Sequence, residues 1–439
     1  MTPRAKETEI DQQSRPLASL LDELAWRGLL HEHTPSLPER LRSGRPIAGY
    51  NGFDPSGPSL HIGHLVPVFG LIHLQRHGGR PVALIGGATG MIGDPSGRSS
   101  ERNLLDRATL EATVEAIRGQ LGRYLDFDSG AAGAVLVNNL DWLGETRMLD
   151  FLRDVGKHFT VPYMLAKDSV QGRLERGLSF TEFSYMLLQA ADFAHLHRAM
   201  GVELQMGGAD QWGNITAGLE LIRRTAPGDG SEPAHALAYP LLTNPSGEKF
   251  GKTADGTSVW LDAELTSPFA FYQYWLQAAD ADVPGYLRFF TLKERDEVVE
   301  LEASMADRPE ARIAQRALAE DITGRTHGPD VARRVAAASE AAFGREPVQD
   351  PVILAMLHAE LDRFEVPAAT VASGVVGLLA DAGIAPSRSE ARRLVAGGAV
   401  TINGTRIATV GDAVPDPVAG EWLQVWVGKR RRWVGRIVG

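Results

Sequence analysis

Residues 50–64 read Tyr50-Asn51-Gly52-Phe53-Asp54-Pro55-Ser56-Gly57-Pro58-Ser59-Leu60-His61-Ile62-Gly63-His64, and their order decides the fold. The apolar run Pro46 to Phe53 predicts a strand, and the Asp-Pro-Ser-Gly-Pro stretch breaks it. Ser59 is then placed to cap a helix whose first turns carry His61 and His64 three apart on one face. A strand feeding a turn and then a helix opens a parallel α/β unit. The unpaired amides and the dipole at such a helix start favour an anion, and two imidazoles add donors for phosphoryl oxygens. Gly63 lets a flat ring or a ribose approach the backbone. Pro67 removes the helix bond to the Gly63 carbonyl, which predicts a bend just past the site. Taken alone, the pair also reads as two satisfied surface histidines.

The same rhythm of apolar run, Gly-rich or Asn-rich turn and helical pattern recurs at Val82 to Gly87, Ala134 to Asn138, Val202 to Gly207 and Leu237 to Thr243. Runs so continuously aliphatic fit strands covered on both faces, so the reading is α/β: a doubly wound, parallel, Rossmann-like sheet over residues 46–262. Ligands of such sheets bind beyond the carboxyl ends of the strands. Residues 1–45 read as an N-terminal helical segment, with a helix from Leu17 to Leu30. After Ser267, Phe269 to Leu276, Lys293 to Ala306 and Pro309 to Ile322 predict a helical domain over 263–345. Three prolines, Pro347, Pro351 and Pro367, among short apolar pieces place a linker at 346–373. In 374–439, a small α+β domain, Ser387 and Glu390 have capping-box spacing, Gly397 and Gly398 end that helix, and Asn403-Gly404 predicts a tight hairpin turn.

Composition sets the outer bounds. The 439 residues are 44% apolar and 23% charged, which excludes global disorder. There is no cysteine, so disulfides, thiolate metal sites and cysteine nucleophiles are excluded. No stretch approaches the ~20 apolar residues of a membrane span, and the first thirty residues read as a cytosolic start. Net charge is −10, yet residues 374–439 hold nine Lys or Arg against five Asp or Glu, a balance of +4. That reversal reads as either a dedicated anionic partner or a solvated terminus.

Two glycine patterns fail their familiar readings. Gly247 to Thr253 has three residues between its glycines where a Walker loop needs four, and it follows the last strand instead of opening a helix. Gly87, Gly90 and Gly93 lack the spacing of the dinucleotide fingerprint. Lys249 and Lys252 nevertheless suit a pyrophosphate leaving group. The conjunction matters more: His-Ile-Gly-His after the first strand, then Lys-Phe-Gly-Lys-Thr 188 residues later. It resembles the paired signature of the class I aminoacyl-tRNA synthetases, and within them the bacterial tyrosyl-tRNA synthetase family. The resemblance covers nearly the whole chain through Gly86 to Arg102, Phe151 to Tyr163, Ser179 to Gln189 and Gly207 to Ile222.

Independently of that likeness, Tyr185, Gln189 and Asp192 fall at i, i+4 and i+7 of an apolar helix beginning near Thr181, a polar stripe that must face solvent or a polar ligand. In the ligand reading Asp192 accepts a phenolic proton and Tyr50 offers its hydroxyl to the same oxygen. The resemblance implies the same pair for tyrosine's hydroxyl, Asp94, Tyr185 and Gln189 around its ammonium, and Gln211 near its carboxylate. It implies Ser56 and His61 at the terminal phosphate, His64 beside the nucleotide, and Arg98, Arg102, Lys249, Lys252 and Thr253 closing over pyrophosphate. Asp54, Gly63, Gly208 and Asp210 match the ATP side. Arg98 stands where lysine is usual, Asn51 where cysteine is common, and Ser56 where threonine is.

The implied activity is a tyrosine–tRNA ligase that forms tyrosyl-adenylate from L-tyrosine and ATP and then charges tRNA(Tyr). Mg2+ arrives with ATP; no metal site of the chain's own and no tightly bound cofactor are expected. The terminal segment resembles the small RNA-binding domain of a ribosomal small-subunit protein, with Arg388, Arg392 and Arg393 toward RNA and Lys429 to Arg432 extending the patch. A cytoplasmic homodimer with contacts near Phe180 is also implied. The rivals are another adenylyl-transferring enzyme, such as a tryptophan-activating synthetase, and a catalytically silent RNA-binding paralogue. The Tyr50 and Asp192 pair argues against the first, and the intact His61, His64, Lys249 and Lys252 argue against the second.

Overall fold

The computed structural model describes residues 15–55, 57–96, 107–167, 170–172, 177–226, 233–242, 250, 257–344, 346–428 and 431–438. The chain divides into two compact units: Met1–Thr266 with Ala278–Ala314, and Ser267–Gln277 with Gln315–Gly439.

The first unit is built on six strands, β1 Glu32–His33, β2 Ala48–Phe53, β3 Arg80–Ile85, β4 Val135–Asn138, β5 Val202–Gly208 and β6 His235–Tyr239, in the order β1-β6-β5-β2-β3-β4. Every neighbour is parallel except β1, which runs antiparallel to β6. From β2 the chain goes to β3 on one side and later to β5 on the other, so the winding reverses between β2 and β5. At such a switch point the connections leave in opposite directions and open a crevice at the strand tips. The aliphatic residues of the strands are buried as their continuous runs require. Tyr50, Val82 and Leu84 share one core with Met186, Ala190, Phe193 and Leu196 from the helix Phe180–Met200. Each such large side chain removed from water contributes about 1.5–3 kcal/mol. Ser179 caps that helix by accepting a bond from the Glu182 amide at 3.2 Å, and Gly201 ends it at φ 65°.

Three expectations change. Ser59 does not cap the histidine helix: its hydroxyl donates to the Leu60 carbonyl and accepts from Gln120. His61 is the N-cap, of a single 3₁₀ turn, Ile62–His64. The α-helix proper, Leu65–Arg76, starts afterwards and leaves Pro67 in its first turn, where an amide would have no helical partner. The two-residue β1 was not legible, because a pair of residues carries no period.

In the second unit the helix Pro268–Leu276 packs on Pro329–Phe343. The stretch 263–345 is therefore shared between the units, with 278–314 belonging to the first. Residues 346–373 are not a bare linker. They form the helix Pro351–Glu360, strand β7 Arg363–Pro367 and the helix Ala368–Ala372. Pro351 begins a helix and Pro367 ends an edge strand, positions where proline breaks nothing. β7 joins β8 Val400–Ile402, β9 Thr405–Arg406, β10 Trp422–Val427 and β11 Arg431–Val438 in a sheet ordered β7-β11-β10-β8-β9. The helices Val375–Asp381 and Arg388–Ala396 cover one face. Ser387 accepts from the Glu390 amide, and Asn403 and Gly404 turn the hairpin at φ 46° and 78°. Among the described residues no helix is long and apolar enough to cross a membrane.

Candidate active site

At the switch point lies a cavity of about 210 Å³ whose lining includes, among others, Tyr50, Asp54, His64, Asp94, Tyr185, Gln189, Asp192, Gly208 and Gln211, and does not include His61 or Gly63. All nine were singled out from the sequence. Asp210 lies in the adjoining 3₁₀ turn Ala209–Gln211. Ser56, Arg98, Arg102, Lys249, Lys252 and Thr253 lie outside the described residues, as do Lys429 and Arg430. Arg388, Arg392 and Arg393 belong to the second unit.

The two histidines are arranged by each other. His61 Nδ1 accepts from the Gly63 amide at 3.0 Å, and the His61 amide donates to His64 Nδ1 at 3.1 Å. With both Nδ1 atoms acting as acceptors, each neutral ring carries its proton on Nε2. Gly63 is required here: a Cβ would lie 2.7 Å from His61 Cε1 and 3.3 Å from the Phe250 carbonyl. Phe250 is the residue between Lys249 and Gly251, and its ring stacks on Phe290 with centroids 5.3 Å apart. Nearby, the Ile62 amide donates to Val259 and the Leu261 amide to Leu60. The first histidine motif and the backbone flanking the second motif, far apart in sequence, are thus zipped together.

At the closed end of the cavity Asp192 is 1% exposed. Its carboxylate accepts from Asn139 Nδ2 at 2.9 Å and from Trp142 Nε1 at 2.8 Å. Burial pushes its carboxyl up to about 7, against those two donors and helped by the charge of Asp54. The Tyr50 hydroxyl is buried with no hydrogen-bond partner among the described residues, and burial together with Asp192 raises its phenol well above the ordinary value. The Oε1 atoms of Gln189 and Gln205 are likewise buried and unpaired among the described residues. A buried polar atom without a partner costs about 1–3 kcal/mol, so several around one cavity mark a place that a polar ligand completes.

A continuous chain of bonds runs along the wall. Asn139 Nδ2 also donates to Thr89 Oγ1 at 3.0 Å, Thr89 donates to Asp54 at 2.7 Å, and the Tyr185 hydroxyl donates to the other Asp54 oxygen at 2.8 Å. The resemblance assigns Asp54 to ATP and Tyr185 to tyrosine; the two side chains are bonded to each other. Further round, Gln211 donates to Asp94 at 2.6 Å and accepts from Asn214 at 3.1 Å. Thr89, Asn139, Trp142 and Gln205 were missed. The one signal was the Asn138-Asn139 pair at the end of β4, which marks a turn and says nothing of Asp192. Three aspartates on the lining suit an ammonium and a hydroxyl donor, while His64 and the glycine-rich strand tips suit phosphoryl oxygens.

Residues 42–344 match the family described as tRNA synthetases class I (W and Y), and residues 376–416 match the S4 domain. The tyrosine–tRNA ligase of Roseiflexus castenholzii is 48% identical over 437 residues, covering 96% of this chain and 100% of that protein. The chain belongs to the class I tyrosine–tRNA ligases. The tyrosine–tRNA ligase of Geobacillus stearothermophilus is 48% identical over 399 residues, 89% of this chain and 93% of its own. A C-terminally truncated mitochondrial tyrosyl-tRNA synthetase of Coccidioides posadasii superposes with a TM-score of 0.63 at 33% identity, over 72% of this chain and 91% of that one. As a member of these ligases the chain is an aminoacyl-tRNA synthetase with an S4 domain.

Proposed function

We propose that the cavity holds L-tyrosine with its ring at the closed end, and that the nucleotide lies over the histidine turn. The observation that carries this reading is the buried Asp192 carboxylate, held by two donors, in the same cavity as a Tyr50 hydroxyl that has no partner among the described residues. A phenolic hydroxyl donates to Asp192 and accepts from Tyr50, satisfying both. Phenylalanine would leave them dry, a form of discrimination for which tyrosine-activating synthetases are already the standard example. Asp94, Tyr185 and Gln189 receive the ammonium, and Gln211 orients the carboxylate.

A tyrosine carboxylate oxygen attacks the α-phosphorus of ATP, the bond to the bridging oxygen breaks, and pyrophosphate leaves with that electron pair. The terminal ribose hydroxyl of tRNA(Tyr) then attacks the activated carbonyl, and AMP departs. Neither step needs a covalent enzyme intermediate. The chain contributes position and charge: His61, His64 and Ser56 at the phosphates, and Arg98, Arg102, Lys249, Lys252 and Thr253 around pyrophosphate. Asp54, Gly208 and Asp210 line the nucleoside. Mg2+ comes with the nucleotide; among the described residues no group of three or more His, Asp or Glu is disposed to hold a metal.

The exposed apolar side chains Met148, Leu149, Val161 and Phe180 support a homodimer interface on the first unit, with Phe180 73% exposed. We place the enzyme in the cytoplasm with its tRNA. The test is exchange of labelled pyrophosphate into ATP. Tyrosine should support it, and phenylalanine or tryptophan should not; equal exchange with all three would sink the assignment of the closed end.

A further inference from the structure

We infer that His195 is a positioning residue for the closed end of the cavity: its ring, stacked on Trp142, holds the indole N–H against the Asp192 carboxylate. This rests on the reading that Asp192 takes the phenol of tyrosine.

One helix supplies both ends of the arrangement. Asp192 and His195 lie three apart on Phe180–Met200 and so stand side by side on one face. The Trp142 indole spans them. Its Nε1 donates to Asp192 Oδ1 at 2.8 Å, and its ring lies on that of His195 with centroids 4.4 Å apart and planes 11° from parallel. The element that carries Trp142 gives it little support. It is the four-residue helix Leu140–Leu143, on which Asp141 is exposed, and Trp142 is only half-buried against the core that holds Tyr50. An indole turns on two side-chain torsions, so the bond to Asp192 fixes its edge and the stack fixes its plane. Without the stack the ring can tilt about that edge, and the bond weakens as its angle at the hydrogen falls.

The consequence reaches the substrate through Asp192. Among the described residues its carboxylate has two donors, Asn139 and Trp142, and they oppose the burial that raises its carboxyl. A weaker indole bond therefore raises that carboxyl further. The other titratable groups bearing on Asp192 are Asp54 and Tyr50, with Tyr185 on its own helix, and all of them line the cavity. On the side of the stack, partial burial and then the charge of Arg198, three residues along the helix, hold the His195 imidazole below its ordinary value. Near neutral pH His195 is thus an uncharged ring that acts by contact.

The experiment follows tyrosine-dependent pyrophosphate exchange by the full-length enzyme against pH, with phenylalanine as the competing amino acid. His195→Ala should raise the KM for tyrosine about three- to tenfold with kcat unchanged, narrow the preference for tyrosine over phenylalanine, and move the acid limb of kcat/KM to higher pH by about half a unit. The KM for ATP should stay the same. His195→Phe, which keeps a flat ring and removes the titrating group, should restore the tyrosine KM, the preference and the limb. In a Trp142→Phe background His195→Ala should add nothing further. A wild-type KM and acid limb in His195→Ala overturn the inference. So does a His195→Phe enzyme as impaired as His195→Ala, which would make a bond or charge of the imidazole the active feature, and so does an undiminished effect of His195→Ala in the Trp142→Phe background. Equal exchange by the wild-type enzyme with tyrosine and phenylalanine would instead sink the reading of the closed end, and this inference with it.

Discussion

At the closed end of the cavity Asp192 is 1% exposed and receives hydrogen bonds from Asn139 and Trp142, whereas on the second unit Arg392 lies in solvent with no acidic partner among the described residues. In the proposed function both charged groups meet a ligand, yet they would work by opposite physics. A buried carboxylate discriminates, because a ligand that fails to pair with it leaves it dry. An exposed arginine attracts by releasing counterions, is screened by salt, and discriminates little. On that proposal, specificity for the small substrate belongs to the interior of the first unit, and grip on the large one to the surface of the second.

The contrast should break most visibly at Lys252, the cation proposed to act on the departing pyrophosphate. Lys252→Ala should lower turnover in tyrosine activation by about 2–4 kcal/mol equivalent, with the tyrosine KM little changed. A rise in KM alone, measured by pyrophosphate exchange, would show that Lys252 behaves like a surface arginine.

Next in size is Asp192→Asn, expected to cost about 1.5–3 kcal/mol in kcat/KM for tyrosine, equally at low and high salt. Because burial holds the Asp192 carboxyl at about 7, kcat/KM should also decline as pH falls below neutrality, where the acceptor becomes protonated. The stability effect has the reverse sign. The folded state keeps this proton between the ordinary value of 3.8 and about 7, so the ligand-free protein loses stability as pH rises through that window. Asp192→Asn should remove that part of the slope, which urea midpoints at pH 5 and pH 8 can check. An unchanged slope would mean Asp192 is ionised throughout.

Tyr50→Phe carries the smallest expected change, about 0.5–1.5 kcal/mol. It should narrow the preference for tyrosine over phenylalanine in exchange assays and slightly stabilise the empty protein, since the hydroxyl lost there has no partner among the described residues. A loss of empty-state stability would indicate a bond to the Tyr50 hydroxyl.

Much of the site was legible because each functional group stands beside a local signal. His61 and His64 follow a broken strand, and Tyr185, Gln189 and Asp192 make a polar stripe at helical spacing. The N-cap was misread at Ser59 because an imidazole acceptor does the same job as a hydroxyl, and propensity favours the hydroxyl. Asn139 and Trp142 were invisible as partners of Asp192, since the pairing crosses 50 and more residues without any period to mark it. The supposed linker at 346–373 failed for a related reason: β7 is a strand because β11 pairs with it, about 70 residues later.

What the amino-acid order determined by itself was everything set by short-range forces: the aliphatic strands, the glycine and proline punctuation, the Asn403-Gly404 turn, and the identities of most cavity residues. The tertiary structure alone decided which donors hold Asp192, which buried oxygens stay unpaired, and which arginines are already spent on Glu390, Glu421 and the Ala342 carbonyl. Those outcomes depend on distances of a few ångströms between segments far apart in the chain, and desolvation and hydrogen bonding are settled only once those segments meet.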